Sequence, residues 1–231
     1  MQLFSKKDRF QFASTRILIL SIFLFSIAVS YGQDNLKKVT VNDRKNHLTE
    51  SYTVKKPGNV IKQGTYELIG GKKNVLIAGN YANNNRTGVW KFYSETGDLL
   101  RQFNFDRDSL VEYKWKTGDS TILRVKTAEG WMKKGVSSPP FPLYGDLNFI
   151  ISHNLQYPVE AKKAHKEGVV VVSVHIDRTG VIMGYRLNSK VSELLNEEAL
   201  RVVKLIDVWY PAICEGKKTE CEYLIPVEFK P

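Results

Sequence analysis

In the segment from Thr219 to Phe229, every second side chain from Cys221 onward is apolar, and those that alternate with them are mostly glutamate. The segment also contains a proline. Alternation with a period of two predicts a β-strand that has one face in the core and one face in solvent. A shift of one residue would move every apolar side chain into water, so the register of this strand is fixed. The inward set is Cys221, Tyr223, Ile225, Val227 and Phe229, and the outward set is Glu220, Glu222, Leu224, Pro226 and Glu228.

Pro226 also predicts where this strand lies in its sheet. Proline has no N–H to donate to a ladder, so a strand that contains it belongs at a sheet edge. Alternate residues of a strand direct their N–H and C=O groups to the same side of the strand. The N–H and C=O groups of Leu224 and Glu228 should therefore face outward. Charge and proline normally protect such an edge, and an extended peptide can also add itself there as a further strand. The sequence therefore predicts a free edge that is suited to capturing a peptide.

The region before this strand predicts helices and a β-hairpin. Residues 145–154 predict a short helix, and the motif Tyr157-Pro158 ends it. The residues expected to pack inward are Leu147, Phe149, Ile150 and Ile151. A hairpin follows from Val169 to Leu187, in which alternate residues of the first strand face the core. These inward residues are Val170, Val172, Val174 and Ile176.

A longer helix is predicted between this hairpin and the last strand. Ser192 is the expected N-cap, and the helix after it runs to about Ile206. Glu197 and Arg201 are spaced to form an ion pair on the solvent face. The expected buried residues are Leu195, Ala199, Val202, Val203 and Ile206.

Six landmarks occur in one order along residues 141–231, and together they resemble the TonB C-terminal domain family. They are Tyr157-Pro158-x-x-Ala161, Gly168-Val169-Val170-Val171, Ile176-Asp177-x-x-Gly180-x-Ile182, Leu195-x-x-Glu198-Ala199, Trp209-x-Pro211 and Ile225-Pro226-Val227-x-Phe229. The resemblance implies an α+β fold, in which a small antiparallel sheet packs on helices. It also implies a periplasmic module whose last strand captures the TonB-box peptide of an outer-membrane TonB-dependent receptor.

The partner-binding residues that this resemblance implies fall into two groups. The first is the edge itself, and the second comprises residues that support it. Many family members carry glutamine three residues before the Tyr-Pro tyrosine. This chain has Asn154 there, which keeps an amide on a shorter side chain. The edge group is Glu220, Glu222, Leu224, Pro226 and Glu228, and the supporting group is Asn154, Gln156, Tyr157, Pro158 and Trp209.

Residues 1–32 combine a basic stretch with an apolar run from Ile17 to Tyr31. As a helix this run spans only about 22 Å, which is less than the roughly 30 Å of hydrocarbon in a membrane. Small residues at Ser30 and Gly32 suit cleavage before Gln33. We therefore expect a cleaved signal peptide, with a short inner-membrane anchor as the alternative. Either one places the rest of the chain outside the cytoplasm, in the periplasm or cell envelope.

The resemblance also implies energy coupling through an ExbB/ExbD-type inner-membrane motor. Family anchors are full spanning helices with a histidine that contacts the motor, and the run from Ile17 to Tyr31 has no histidine. A long proline-rich spacer is replaced here by a repeat and a short proline segment. An exported envelope scaffold or interaction protein with no energy-transducing role therefore stands as the alternative function.

Glycine and apolar residues recur 24 residues apart in the middle of the chain, which predicts two copies of a β-hairpin unit. The second copy, from Gly88 to Leu100, resembles MORN-like repeats. The module is either a β-meander that serves spacing and stability, or an exposed aromatic surface formed by Trp90, Tyr93 and Trp115. The matching pairs are Gly64 with Gly88, Tyr66 with Trp90, Leu68 with Phe92, Ile69 with Tyr93, Val75 with Leu99, Leu76 with Leu100, and Tyr81 with Phe105.

These features predict five parts along the chain. Three prolines between Pro139 and Pro142 favour an extended, semi-rigid connection between the two folded parts. The parts are a leader (1–32), an N-terminal extension (33–58), an all-β module of MORN-like repeats (59–127), a proline-containing linker (128–142) and a TonB-like C-terminal domain (143–231).

The formal net charge of +10 arises mainly from residues 33–140. Nucleic-acid binding needs basic residues clustered with aromatic residues on one face, and here the lysines are spread along the segment. We therefore expect no nucleic-acid partner. A solvated surface attracted to anionic lipid or cell-wall polymer is the favoured interpretation.

Cysteine and histidine content limits the chemistry of the chain. Cys214 and Cys221 flank a short turn, and in an oxidising periplasm they predict a disulfide. The four histidines include no pair at metal-ligand spacing, so we expect no metal site and no cofactor. Because no nucleophile, base and orienting acid come together, we expect no catalytic site.

Overall fold

The computed structural model describes residues 36–44, 46–55, 61–114 and 122–230. The chain divides into two compact units, Met1–Trp115 and Lys116–Pro231. The predicted leader, residues 1–32, lies outside the described residues. Within the described ranges, no helix is long and apolar enough to cross a membrane.

The first unit is an antiparallel meander of seven strands, in which each strand pairs with the next along the chain. This confirms the predicted all-β meander. The meander begins earlier than predicted, because its first two strands lie in the expected extension, residues 33–58. The strands are β1 (Lys37–Asp43), β2 (Leu48–Val54), β3 (Lys62–Ile69), β4 (Val75–Ala82), β5 (Asn85–Tyr93), β6 (Leu99–Asn104) and β7 (Ser109–Tyr113).

The 24-residue recurrence corresponds to two hairpins with equivalent registers. In the first hairpin, β3 pairs with β4 and Leu68 lies opposite Ile77. In the second, β5 pairs with β6 and Phe92 lies opposite Arg101. Each of these residues lies 24 positions from its counterpart, so the hairpin repeat is confirmed. Its resemblance to MORN-like repeats stays a prediction.

The largest aromatic residue of the repeat lies inside the first unit. Trp90 has no solvent exposure, and its ring covers Gly79, where a Cβ atom would come within 2.2 Å of it. The alternative of an exposed aromatic surface is therefore wrong for Trp90, since its ring fills space beside its own sheet. Tyr93 is half-buried, and Trp115 lies outside the described residues.

The second unit is an α+β domain built on antiparallel strand pairs, as predicted. Its helices are α1 (Leu147–Asn154), α2 (Val159–Lys163) and α3 (Glu193–Lys204). The strands of its main sheet are β8 (Ile122–Thr127), β9 (Gly130–Gly135), β11 (Gly168–Ile176), β12 (Ile182–Leu187) and β16 (Cys221–Phe229), in the order β12-β11-β16-β8-β9. Two short ladders join β10 (Phe141–Pro142) to β13 (Trp209–Tyr210) and β14 (Ala212–Cys214) to β15 (Lys217–Thr219).

Helix α3 has the predicted cap and the predicted buried face. The Ser192 hydroxyl accepts a hydrogen bond from the Leu195 N–H at 3.4 Å. The expected Glu197–Arg201 pair is wrong, because Arg201 Nε instead donates to Glu198 Oε2 at 2.7 Å. Glu198 lies on the buried side of Arg201, whereas Glu197 is exposed. The buried residues are Leu195, Ala199, Val202, Val203 and Ile206, as expected.

The boundary between the two folded parts differs from the predicted one. Strand β8 falls in the predicted repeat module (59–127) and β9 in the predicted linker (128–142), yet both join the sheet of the second unit. Leu123 and Val125 of β8 lie in the same hydrophobic core as the C-terminal helices. Apolar burial therefore attaches this hairpin to the C-terminal domain.

The proline segment is packed within the second unit, which corrects the prediction that it is a linker between the two folded parts. Pro139 and Pro140 are buried. The Ser137 N–H donates to the Ile213 carbonyl at 2.8 Å, and the Ile213 N–H donates to the Ser138 carbonyl at 2.9 Å. These residues therefore form part of the second unit.

Candidate functional site

Strand β16 has the two faces that its sequence predicts. Cys221, Ile225, Val227 and Phe229 are buried, and Tyr223 is half-buried. These side chains join the core cluster that includes α3. The opposite face carries the exposed residues Leu224, Pro226 and Glu228, and the side chain of Leu224 is 48% exposed.

The backbone groups of β16 alternate between two sides. Strand β11 pairs with β16 along its full length, with Val172 opposite Ile225. The Val171 carbonyl accepts the Asn188 N–H at 2.8 Å, so the backbone of Val171 faces the β12 side of the sheet. Neighbouring residues of a strand direct their groups to opposite sides, so Val172 faces β16 and Ile225 faces β11. The residues whose groups point to the outer side are therefore Leu224, Pro226 and Glu228.

This parity explains how a proline fits within a nine-residue strand. Pro226 lies opposite Val171, at a position where neither residue directs backbone groups to the other. The absent N–H of Pro226 therefore costs no hydrogen bond to β11. It falls on the outer side, where proline is tolerated only if the strand lacks a continuous partner.

The structure corrects the prediction that the last strand is an edge along its whole length. Strand β8 pairs with the start of β16, with Val125 opposite Cys221 and Arg124 opposite Glu222. The Lys126 N–H continues this ladder by donating to the Glu220 carbonyl at 2.9 Å. Among the described residues, no strand pairs with the outer side of β16 from Leu224 to Phe229. We call this segment the free edge.

Glu220 and Glu222 lie beside the covered end of β16 and form ion pairs within the chain. Glu222 contacts Arg124 at 2.7 Å and Arg186 at 3.4 Å. Glu220 contacts Lys126 at 3.3 Å and the His175 ring at 2.8 Å. The structure therefore separates these two predicted site residues from the free edge and gives them a role in holding β8.

Two aromatic residues predicted as supports contact β16 from its inner side. The Tyr157 ring packs edge-on against Phe229 at 5.7 Å between centroids, and its hydroxyl donates to the Lys166 carbonyl. Trp209 is buried and packs edge-on against Tyr223 at 6.1 Å. They support the two ends of the free edge, while Pro158 is the N-cap residue of α2.

Trp209 is fixed by its own hydrogen bond and by a close backbone approach. Its indole N–H donates to the Ile206 carbonyl at 2.9 Å. Gly180 in the β11–β12 turn has φ +83°, and a Cβ atom there would come within 2.0 Å of the Trp209 carbonyl oxygen. Only glycine suits this position, because it tolerates positive φ and leaves room for the neighbouring backbone.

Asn154 and Gln156 contact a partly buried ion pair, Glu198 with Arg201, that the sequence did not predict. Glu198 accepts hydrogen bonds from Arg201 and from the Gln156 N–H at 2.6 Å. Arg201 also donates to the Asn154 carbonyl at 2.6 Å, and its hydrogen bond with Glu198 raises its pKa. The main chain of residues 154–156, rather than the two amide side chains, is thus tied to α3. Glu198 belongs to the landmark Leu195-x-x-Glu198-Ala199, which was the available signal.

Cys214 and Cys221 are both free and buried, so the predicted disulfide is absent from the structure. Register explains the difference, because the residue opposite Cys214 in its hairpin is Lys217 and not Cys221. The Cys214 thiol lies 3.4 Å from the Gly135 carbonyl, to which it donates. Burial raises the pKa of the Cys221 thiol to about 12.

Within residues 36–44, 46–55, 61–114 and 122–230, no three histidine, cysteine, aspartate or glutamate side chains cluster as a metal site would require.

The arrangement at β16 offers backbone donors and acceptors together with exposed apolar side chains. Chemically, it is suited to pairing with an extended polypeptide.

Comparison with known proteins bears on the C-terminal part of the chain. Residues 153–231 match the family described as the Gram-negative bacterial TonB protein C-terminal. The matched range begins within α1, so it excludes the β8–β9 hairpin. No curated protein and no solved structure matches the chain.

Proposed function

We propose that this chain engages outer-membrane TonB-dependent receptors by strand addition at β16. The premise is that residues 153–231 belong to the TonB C-terminal domain family. The match of residues 153–231 supports a TonB-like protein that takes part in energy-coupled transport. It also indicates a place in the periplasm or cell envelope. The ligand in this proposal is the TonB-box peptide of a receptor.

The observation that carries the proposal is the free edge. Leu224 and Glu228 each offer an outward N–H, and Leu224, Pro226 and Glu228 each offer an outward carbonyl. Hydrogen bonds of this kind supply the affinity when a peptide extends a sheet, and side-chain contacts supply specificity. The proposal therefore depends on the backbone of this segment more than on any charged side chain.

The open face of the sheet beside the free edge is partly apolar. Leu224 lies next to Ser173 and Pro226 next to Val171 on this face, and Val169 follows beside Glu228. Leu224 and Val169 are both exposed. Alternate side chains of an added strand would project from this face beside Leu224, Pro226 and Glu228, so we expect the peptide to carry apolar residues opposite Leu224 and Pro226.

Energy coupling is the second part of the proposal. It requires that the leader stay in the inner membrane, where an ExbB/ExbD-type motor could act on it. The alternative is an exported envelope scaffold, in which the lysine-rich middle region contacts cell-wall polymer or anionic lipid and transmits no force. N-terminal analysis of the mature protein distinguishes them, because a start at Gln33 excludes direct motor coupling.

A pair of variants at one position tests strand addition. Leu224→Pro removes an outward N–H that β11 does not use, whereas Leu224→Ala removes the same side chain and keeps the N–H. Binding is measured by calorimetry with synthetic peptides from the N-terminal plugs of outer-membrane receptors. We expect Leu224→Pro to bind about fivefold or more weakly than Leu224→Ala, since a hydrogen bond contributes about 1 kcal/mol. Equal affinities would show that the peptide does not pair with this edge.

A further inference from the structure

We propose that the β8–β9 hairpin sets the register and the length of the added strand by occupying the first part of the β16 edge. This inference rests on the proposed capture of a peptide at β16. It concerns residues outside the range that matches the TonB family, so it describes a feature of this chain. The partner is an extended peptide segment, and the hairpin determines which residues of β16 it reaches.

The hairpin is held on β16 by its backbone and by charged side chains. The backbone ladder pairs Arg124 with Glu222, and the Lys126 N–H donates to the Glu220 carbonyl at 2.9 Å. The Arg124 guanidinium also contacts the Glu222 carboxylate at 2.7 Å. Charge-assisted contacts that reinforce a ladder make its displacement costly.

Apolar burial fixes the hairpin from the opposite face of the sheet. Val125 has no solvent exposure and Leu123 is buried, and both belong to the core cluster that contains Ile225 and Val227. An incoming peptide would have to expose these side chains to displace β8. We therefore expect the hairpin to stay in place when a peptide binds.

The consequence is a fixed boundary for the peptide. The ladder between β8 and β16 ends at Glu222, so an added strand can pair only from Leu224 to Phe229. This segment offers six positions, with outward donors at Leu224 and Glu228. Residues that extend a peptide past Leu224 toward β8 find their pairing positions occupied, and they add no hydrogen bonds.

Hydrogen exchange in the full chain tests this boundary residue by residue. The probes are a seven-residue receptor plug peptide and eleven-residue versions of it extended at either end. We expect saturating peptide to slow exchange of the Leu224 and Glu228 amides and to leave the Lys126 amide protected, with all probes. Loss of protection at Lys126 together with gain at Leu224 would show that the peptide displaces the hairpin, which overturns this inference but not strand addition. No change at Leu224 and Glu228 would overturn strand addition itself.

A charge-reversal variant tests the same point by affinity. Arg124→Glu opposes Glu222 and weakens the ladder, while Lys133→Glu makes the same charge change at an exposed position of β9 opposite Arg124. We expect an eleven-residue peptide to bind as tightly as the seven-residue peptide in the wild type and in Lys133→Glu. In Arg124→Glu the longer peptide should bind about fivefold more tightly, because one more hydrogen bond becomes possible. Equal affinity of both peptides in an Arg124→Glu protein whose Lys126 amide has lost protection would contradict the inference.

Discussion

The ion pair between Glu198 and Arg201 gives the sharpest stability prediction for the second unit. The Glu198 carboxylate accepts from Arg201 Nε at 2.7 Å, from an Arg201 terminal nitrogen at 2.8 Å and from the Gln156 N–H at 2.6 Å. Its side chain is only 8% exposed. The change Glu198→Ala therefore removes three hydrogen bonds at a site that water reaches poorly.

The magnitude follows from what each partner loses. The Arg201 side chain is 41% exposed, so water replaces much of its contact and this part costs at most about 1 kcal/mol. Gln156 is exposed and its hydrogen bond to Glu198 is partly buried, so the loss of the acceptor for its N–H costs about 1 kcal/mol. We expect Glu198→Ala to lower the free energy of unfolding by about 1–2 kcal/mol in total. Glu198→Gln keeps an acceptor for Gln156 and should cost less than about 1 kcal/mol.

Glu197→Ala is the matched control, because the same residue type is removed one position earlier on the exposed face of α3. Its cost should stay within about 0.5 kcal/mol, as for other surface substitutions. Urea denaturation followed by NMR signals of the second unit measures both changes, provided that the dependence on urea concentration is unchanged. Equal destabilisation by Glu197→Ala and Glu198→Ala would refute the assignment of the Glu198–Arg201 pair.

Other predictions concern the turn beneath Trp209 and the two thiols. Gly180→Ala should destabilise the second unit by more than about 1 kcal/mol, since its φ is positive and its Cβ would meet the Trp209 carbonyl, whereas Gly184→Ala, with open space around it, should be tolerated in the same thermal melt. The Cys221 thiol has a pKa of about 12 in the folded chain against an ordinary value of 9.0, so its contribution to stability is complete below about pH 9 and is lost as the pH rises toward 12. The free energy of unfolding should therefore fall more steeply with pH in the wild type than in Cys221→Ala; parallel profiles would contradict the burial of this thiol. Thiol titration of the unfolded chain without reductant should find both cysteines free, and finding none would restore the disulfide.

Local pattern was sufficient to predict several elements of the fold. The alternation from Cys221 to Phe229 determines which face is buried, because a strand has a side-chain period of two. Helix α3 was predicted from its Ser192 cap and from the apolar residues after it, which recur with the period of a helix and so define its buried face. The 24-residue recurrence gave two hairpins of equivalent register, since each copy carries its own glycine and apolar positions.

Contacts between distant parts of the chain could not be predicted in this way. Arg124 and Glu222 are 98 residues apart, and nothing in the composition of β8 distinguishes a strand of the first unit from one of the second. The partner of Arg201 was misassigned because both Glu197 and Glu198 lie within one helical turn of it, and only the packing of residues 154–156 selects Glu198. The cysteine prediction failed because the register of the hairpin after Tyr210 places Lys217 opposite Cys214.

The candidate site combines these two kinds of information. Pro226 indicated an edge, and the parity of the strand correctly named the outward residues Leu224 and Glu228. The hairpin that limits this edge to residues 224–229 could be identified only from the structure. Glu220 and Glu222 were therefore assigned to the partner surface, whereas their contacts lie with Lys126 and Arg124.

Amide exchange along β16, measured before and after the addition of receptor plug peptides, tests strand addition most directly. The Ile225 amide faces β11 and should exchange slowly throughout, so it serves as an internal reference. We predict that the Leu224 and Glu228 amides exchange rapidly in the free chain and become as slow as Ile225 when peptide saturates the protein. Slow exchange of both amides in the free chain, or rapid exchange of both at saturation, would contradict the account.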